Sequence, residues 1–253
     1  MQDGNIRSNT TKVSIIKLEE FSYKCTEDKV ITEYPFSLII NGKDKKTFLC
    51  TPYKLEELTV GYLTTKGYIR EEKDIISLEI DETRKISNVT TKNIEMPYEN
   101  QIIDLNEMNN FKYEVIESDT HIHVDTVYEI MKFNLNYSRL FKDTGGAHCV
   151  AIFENDKEIV VCEDVARHNA MDKAIGYCIL KNINLANKTI VVSGRISFEM
   201  LSKAAKAKIP IIISKSAPTN LSIELANKLN ITLIGFVRGQ KMNIYTHSHR
   251  VKV

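Results

Sequence analysis

The hydrophobic pattern of this chain changes character near residue 140. Before that point, short runs rich in β-branched residues predict strands over residues 13–25 and 30–40. The second run ends on Asn41-Gly42, a strong hairpin signal, so residues 46–50 are the predicted returning strand. Thr51-Pro52 then predicts a helix start, with threonine as N-cap and proline in the first turn. Leu55, Leu58, Tyr62 and Leu63 recur at helical spacing, and Gly67 supplies the stop. Residues 75–80 and 86–91 predict a further hairpin. Residues 93–120 hold Pro97 and many Asn, Asp and Glu residues with little periodicity, and predict a long irregular loop. Residues 124–135 form an amphipathic helical pattern.

After residue 140, strands and helices alternate. Residues 150–153 and 158–162 predict a hairpin around Asn155-Asp156. Helical patterns at 167–180, 197–208 and 219–229 then alternate with apolar runs at 189–192, 210–214 and 231–236. This alternation predicts an α/β fold of βαβ units with a mainly parallel sheet. The predicted division is a mixed, strand-rich α+β subdomain over residues 1–139 and an α/β subdomain over residues 140–253. Ligands of such sheets bind at the carboxyl ends of the strands, which directs attention to the loops that follow them.

Four loops there are polar and rich in small residues. The first contains Thr144, Gly145, Gly146 and His148; paired glycines allow close backbone approach or simply a turn. The second contains Asp164, Arg167, His168, Asn169, Asp172 and Lys173 and opens a helix, where free N–H groups favour an anion. Asp164 is equally readable as a cap of that helix. The third, Ser193, Gly194, Arg195 and Ser197, suits a phosphate or carboxylate, with Ser197 as helix N-cap in the plainer reading. The fourth holds Ser216 and Thr219, the latter a candidate N-cap. With Arg238, these loops suit a phosphorylated, nucleotide-like ligand. Neither GxxxxGK[ST] nor GxGxxG occurs, so an ordinary ATP or NAD site is not supported.

Composition narrows the reading. The chain has 253 residues, with 34 Lys and Arg against 33 Asp and Glu. A net charge of +1 argues against a nucleic-acid-coating protein. No apolar run is long enough for a membrane span, and the polar first residues, MQDGNIRSNTTK, predict a short flexible arm rather than a signal peptide. The five cysteines contain no CxxC, which speaks against a disulfide scaffold or a cysteine zinc site and fits a reducing cytoplasm. His121 and His123 are a candidate metal pair or, more plainly, an exposed pair.

Six ordered blocks carry a resemblance to a known family: TPYKLEELTVGYL, TGGAH, EDVARHNAMDKAIG, SGRISFEML, SKSAPTNLSIELA and TLIGFVRGQKMNIYTH. They resemble the formate dehydrogenase accessory sulfurtransferase (sulfur carrier) family over residues 35–247. The resemblance implies a cytidine-deaminase-like α/β/α layer in the C-terminal half. It implies a cytoplasmic, dimeric protein that takes sulfur from a cysteine desulfurase and passes it to the bis-guanine-dinucleotide molybdenum cofactor for apo-formate dehydrogenase. GDP and GMP would bind as analogues. The cofactor-binding segment it implies falls on Phe236, Val237, Arg238, Gly239, Gln240 and Lys241. A zinc deaminase activity is not expected, because His148 is followed by Cys149 and Val150 and no PCxxC exists.

The chain departs from the family at its persulfide loop. Where members carry Cys-Gly-x-Cys-Gly, residues 102–111 contain Asp104, Asn106, Glu107, Met108, Asn109 and Asn110 and no cysteine. Sulfur relay needs a nucleophilic thiolate. Ala166 also stands where the family has glycine, and Lys66 where it has glutamate. Cys149, beside His148, is the candidate substitute thiol; a small buried hydrophobe is the alternative at that position. Cys25, Cys50, Cys162 and Cys178 read as core. Two functions follow: a sulfur-transfer protein using an unusual cysteine, or a cofactor-binding chaperone without transferase activity.

Overall fold

The computed structural model describes residues 8–92 and 113–253. Thr10–Glu19 (β1) pairs antiparallel with Ser22–Ile31 (β2) in a two-stranded ribbon. The strand expected over residues 13–25 is therefore folded back on itself. The reversal falls on Glu20 and Phe21, at φ 47° and 73°, which no turn-type residue marks. Thr10, Thr11 and Lys12, expected in a flexible arm, belong to β1.

Tyr34–Ile40 (β3) and Asp44–Cys50 (β4) form the hairpin expected at Asn41-Gly42, where both residues have positive φ. Leu55–Lys66 (α1) follows. It starts later than Thr51-Pro52 suggests, with Lys54 in the left-handed region. The physical reason is tertiary: Thr51 bonds to Asp164 through both its backbone N–H and its hydroxyl, each at 3.0 Å. Ile75–Asp81 (β5) and Ile86–Thr91 (β6) complete a four-stranded sheet in the order β4-β3-β6-β5. Residues 93–112 of the predicted loop lie outside the described residues. The remaining part, 113–120, is irregular but anchored, with Ile116 buried and its N–H on the Leu229 carbonyl.

Ile122–His123 (β7) leads into Val124–Tyr137 (α2), and Arg139–Thr144 (α3) follows. The His123 ring caps α2, accepting from the Asp125 N–H. Then come His148–Glu154 (β8), Lys157–Asp164 (β9), Arg167–Leu180 (α4), Thr189–Val192 (β10), Phe198–Lys206 (α5), Ile211–Ser214 (β11), Asn220–Lys228 (α6), Thr232–Arg238 (β12) and Lys241–Thr246 (β13). Val251–Lys252 (β14) pairs with β7. The six strands β13-β12-β11-β10-β8-β9 form one sheet. Its β10-β11 and β11-β12 pairs are parallel, and its other three are antiparallel, so the sheet is mixed rather than mainly parallel.

Strand alternation divides the side chains of this sheet between two cores. Val150, Ile152, Ile190, Val192, Ile212 and Leu233 pack with residues of α4, α5 and α6. Ala151, Phe153, Val191, Ile211, Ile213 and Ile234 pack against Val127, Ile130 and Met131 of α2. The result is the expected α/β/α layering. The two sheets are joined by α1 lying against α4 at backbone contact: a Cβ on Gly61 would fall 1.8 Å from the Asp172 carbonyl oxygen, and one on Gly176 1.9 Å from that of Glu57.

Candidate functional site

The register of the sheet sets the site. Val192 of β10 stands beside Val150 of β8 and Ser214 of β11, and Ile213 stands beside Ile234 of β12. The loop entering β8, those leaving β9, β10 and β11, and the β12–β13 turn therefore open on the same sheet edge. Hydrogen bonds fasten them together. Ser193 Oγ accepts from the Cys149 N–H at 3.0 Å, and Ser214 Oγ donates to the Gly194 carbonyl at 2.7 Å. The Ile196 N–H donates to Ala217 and the Phe236 N–H to Ser216, both at 3.1 Å. Ser197 and Thr219 cap α5 and α6 as their sequence positions suggest. Ser214, the polar residue that ends β11 and opens the fourth loop, thus ties that loop to the third.

At one end of this edge, His148, Arg167 and Gly194 crowd together. A Cβ on Gly194 would meet the His148 ring nitrogen Nδ1 at 3.2 Å and Arg167 Cδ at 3.4 Å. The Arg167 Nε is buried without a hydrogen-bond partner, an orphaned cationic donor. Burial lowers the His148 pKa, and the Arg167 charge lowers it further against a smaller opposing effect of Asp164, so the imidazole is neutral near pH 7. His168 Nε2 lies 3.2 Å from Glu199 Oε2 at ion-pair distance but without hydrogen-bond geometry, and burial lowers its pKa also. Arg195 is exposed on the same rim. At the other end, exposed Phe236 holds a positive φ of 53°, with the Arg238 guanidinium 5.9 Å from its ring centre. Gly239, Gln240 and Lys241 make the exposed turn beyond it.

Several residues expected at the ligand lie beneath the edge instead. Asp164 and Lys173 are fully buried and paired at 2.6 Å. The other Asp164 oxygen accepts from Asn169 Nδ2 at 3.0 Å and from the Ala166 N–H at 2.9 Å, and Ala166, not Asp164, is the N-cap of α4. Asp172 is buried against Lys203 Nζ at 2.7 Å and the Thr65 hydroxyl at 2.9 Å; burial raises its carboxyl and the ammonium opposes that. These four residues, Asp164, Asn169, Asp172 and Lys173, are buried and hold the platform. Thr144 and Gly145 close α3, through the Thr144 hydroxyl on the Leu140 carbonyl and a left-handed Gly145. Gly146 packs on Ile31. Val237 points into the core beneath α2.

The cysteines are also redistributed. Adjacent strand residues face opposite sides of a sheet, so Cys149 is turned away from His148 and donates to Asn134 Oδ1 at 3.1 Å. Burial pushes its thiol far above the ordinary cysteine value, the state of a small buried hydrophobe rather than of a reactive thiolate. Burial pushes Cys50 and Cys178 up to about 12 and Cys162 up to about 11. Cys25, expected in the core, is exposed on β2. Among the described residues no three His, Cys, Asp or Glu side chains group as metal ligands, and no helix is long and apolar enough to cross a membrane.

A family model described as the FdhD/NarQ family matches residues 31–252. A sulfur carrier protein FdhD from Staphylococcus haemolyticus is 39% identical over 252 residues, covering 94% of this chain and 96% of that protein. One of the same name from Bacillus pumilus is 37% identical over 252 residues, covering 94% and 95%. A solved structure of a formate dehydrogenase accessory protein from Desulfotalea psychrophila aligns with a TM-score of 0.81 at 22% identity, covering 97% of this chain and all of that one.

Proposed function

Since this chain belongs to the FdhD/NarQ family, we propose that it is a formate dehydrogenase accessory protein that binds the bis-guanine-dinucleotide molybdenum cofactor as its cargo. It supports sulfuration of that cargo or its delivery to apo-formate dehydrogenase, as a cytoplasmic homodimer served by a cysteine desulfurase. Residues 140–253 carry the ligand loops in this reading. The observation that supports it is the convergence of five loops on one sheet edge, with an unpartnered Arg167 Nε beside His148 and Gly194. Phe236 with Arg238 lies three strand spacings away, about 14 Å, a span suited to an extended nucleotide-bearing ligand. The Phe236 ring and Arg238 guanidinium suit a purine base. Arg167, Arg195 and the N-termini of α5 and α6 suit phosphates. The test is calorimetric titration with GDP and GMP: wild-type binding that falls at least tenfold in Arg195→Ala and Arg238→Ala supports the reading, and unchanged affinity in both overturns the site.

A second reading is favoured by the thiols. The family's paired cysteines have no counterpart in residues 102–111, and four of the five cysteines are buried with raised pKa values. In this reading the protein binds and delivers the cofactor as a chaperone without sulfurtransferase activity. Restoration of formate dehydrogenase activity in a host lacking its own family member, by the wild type and by a variant with all five cysteines replaced by serine, distinguishes the two. Relay chemistry requires the first to work and the second to fail.

A further inference from the structure

Toward its tip, the ribbon of β1 and β2 is apolar on one face and uncovered there. Its register pairs Ile16 with Cys25 and Leu18 with Tyr23 on the same side. Ile16, Leu18 and Tyr23 are 69%, 61% and 79% exposed, and Phe21 stands fully exposed at the tip. A two-stranded ribbon is marginal by itself, and a contiguous apolar face of this kind marks an interface. Beside the tip stand two acids, Glu19, which is paired with Lys17 at 2.6 Å, and Glu20.

The same chain carries a complementary surface. At its root the ribbon meets α3 through Lys29 and Asp143, 3.3 Å apart. Next to it opens a groove of about 670 Å³ whose lining includes Tyr53, Phe133, Tyr137, Arg139, Lys142 and, from the ribbon's root, Asn9. Phe133 and Tyr137 stand with ring centres 5.5 Å apart, and the buried Asn9 Oδ1 has no partner. The acid in the groove, Glu163, is already occupied by the Ser138 hydroxyl and the Leu140 N–H. The floor is thus aromatic and the rim cationic, while the ribbon offers an apolar face with an acidic tip.

We propose that the groove receives the β1–β2 ribbon of a second copy of this chain, in a reciprocal two-fold exchange. Ile16, Leu18 and Tyr23 lie over Tyr53, Phe133 and Tyr137, and Glu20 faces Arg139. An interface in which each copy both gives and receives the same element closes on itself as a dimer. The part of the ribbon beyond its root, about 23 Å long and about 10 Å wide, seated twice and counted on both partners, buries about 900 Å² in projection, to which the exposed Phe21 tip adds toward the size of a stable interface. This rests on the homodimer reading above and names its surface. The groove borders the edge strand β9, four strands from β12, so it is separate from the Phe236 loop.

The test is sedimentation of the full chain, with folding checked by circular dichroism. The wild type is expected to be a dimer. Leu18→Glu and Tyr137→Glu should each weaken association at least about thirtyfold, as truncation of a central hot spot does. Mixed together, the two variants should regain dimer, because one intact ribbon then meets one intact groove. Dimers unaffected by either substitution, or no recovery on mixing, overturn the exchange while leaving the homodimer standing. A monomeric wild type overturns both, and GDP binding then tests the cofactor reading separately.

Discussion

Lys173 Nζ and Asp164 Oδ2 lie 2.6 Å apart with both side chains wholly buried. The pair is the hub between the two sheets. Lys173 also donates to the Thr51 hydroxyl at 2.8 Å and to its carbonyl at 3.1 Å. It thereby fixes the chain between β4 and α1 against the end of β9 and against α4, the helix that Arg167 opens. Buried ions of this kind are tolerated only when every donor and acceptor is used, as here.

Removing one partner should therefore be costly. Lys173→Met leaves the Asp164 carboxylate buried without its cation, and we expect a loss of about 3–5 kcal/mol of unfolding free energy. Urea denaturation measures it. A loss below about 1 kcal/mol, the scale of surface pairs, would show that the pair is not what holds the platform.

The helix contact above this hub has no slack. Gly176→Ala puts a methyl group into the Glu57 carbonyl oxygen, 1.9 Å from the ideal Cβ position, and both groups belong to backbone. The helices α1 and α4 must separate, at about 3 kcal/mol on the scale of overpacked cores. Since α4 begins at Arg167, nucleotide affinity should fall with stability. Thermal melting with and without GDP separates the two effects. A Gly176→Ala protein with wild-type melting temperature would contradict the contact.

What was legible in the sequence was mostly local. Ser197 and Thr219 cap their helices with groups three residues ahead, and Asn41-Gly42 turns its own hairpin. Thr51 was misread because its partner, Asp164, is 113 residues away. Asp172 and Lys173 share a polar segment with Arg167 and His168, and spacing cannot separate residues that face the ligand edge from those that face α1. Cys25 has the strand pattern of a core residue, but alternation does not say whether a strand has anything packed against it.

Acid sensitivity should trace to His148. Its folded pKa is lowered from the ordinary 6.5 by burial and by Arg167. The unfolded chain therefore binds a proton at a pH where the folded chain does not. The contribution to stability is fully present above about pH 6.5 and is lost as pH falls through that value toward the folded pKa. His168 is shifted in the same direction. Unfolding free energy measured between pH 7.5 and pH 5, values chosen to bracket the ordinary histidine pKa, should decline less steeply in His148→Gln than in the wild type. Equal slopes would remove His148 as a source.

Thiol reactivity should be confined to a single position. A thiol reacts as its thiolate, and burial raises the pKa of Cys50, Cys149, Cys162 and Cys178, leaving little thiolate at neutral pH and no access to it. Cys25 is the exposed cysteine. Native protein treated with iodoacetamide at neutral pH should take one fast adduct, on Cys25, and the other four should react only after unfolding. Cys25→Ser should abolish the fast reaction. Incubation with a cysteine desulfurase and cysteine extends the same logic to sulfur: an added sulfur atom found by mass spectrometry should sit on Cys25 or be absent. In the ribbon exchange, Cys25 also lies on the covered face beside Ile16, so its alkylation should slow as protein concentration rises and dimer forms. Fast labelling of Cys149 in the folded protein would reverse this assignment and restore it as the relay thiol.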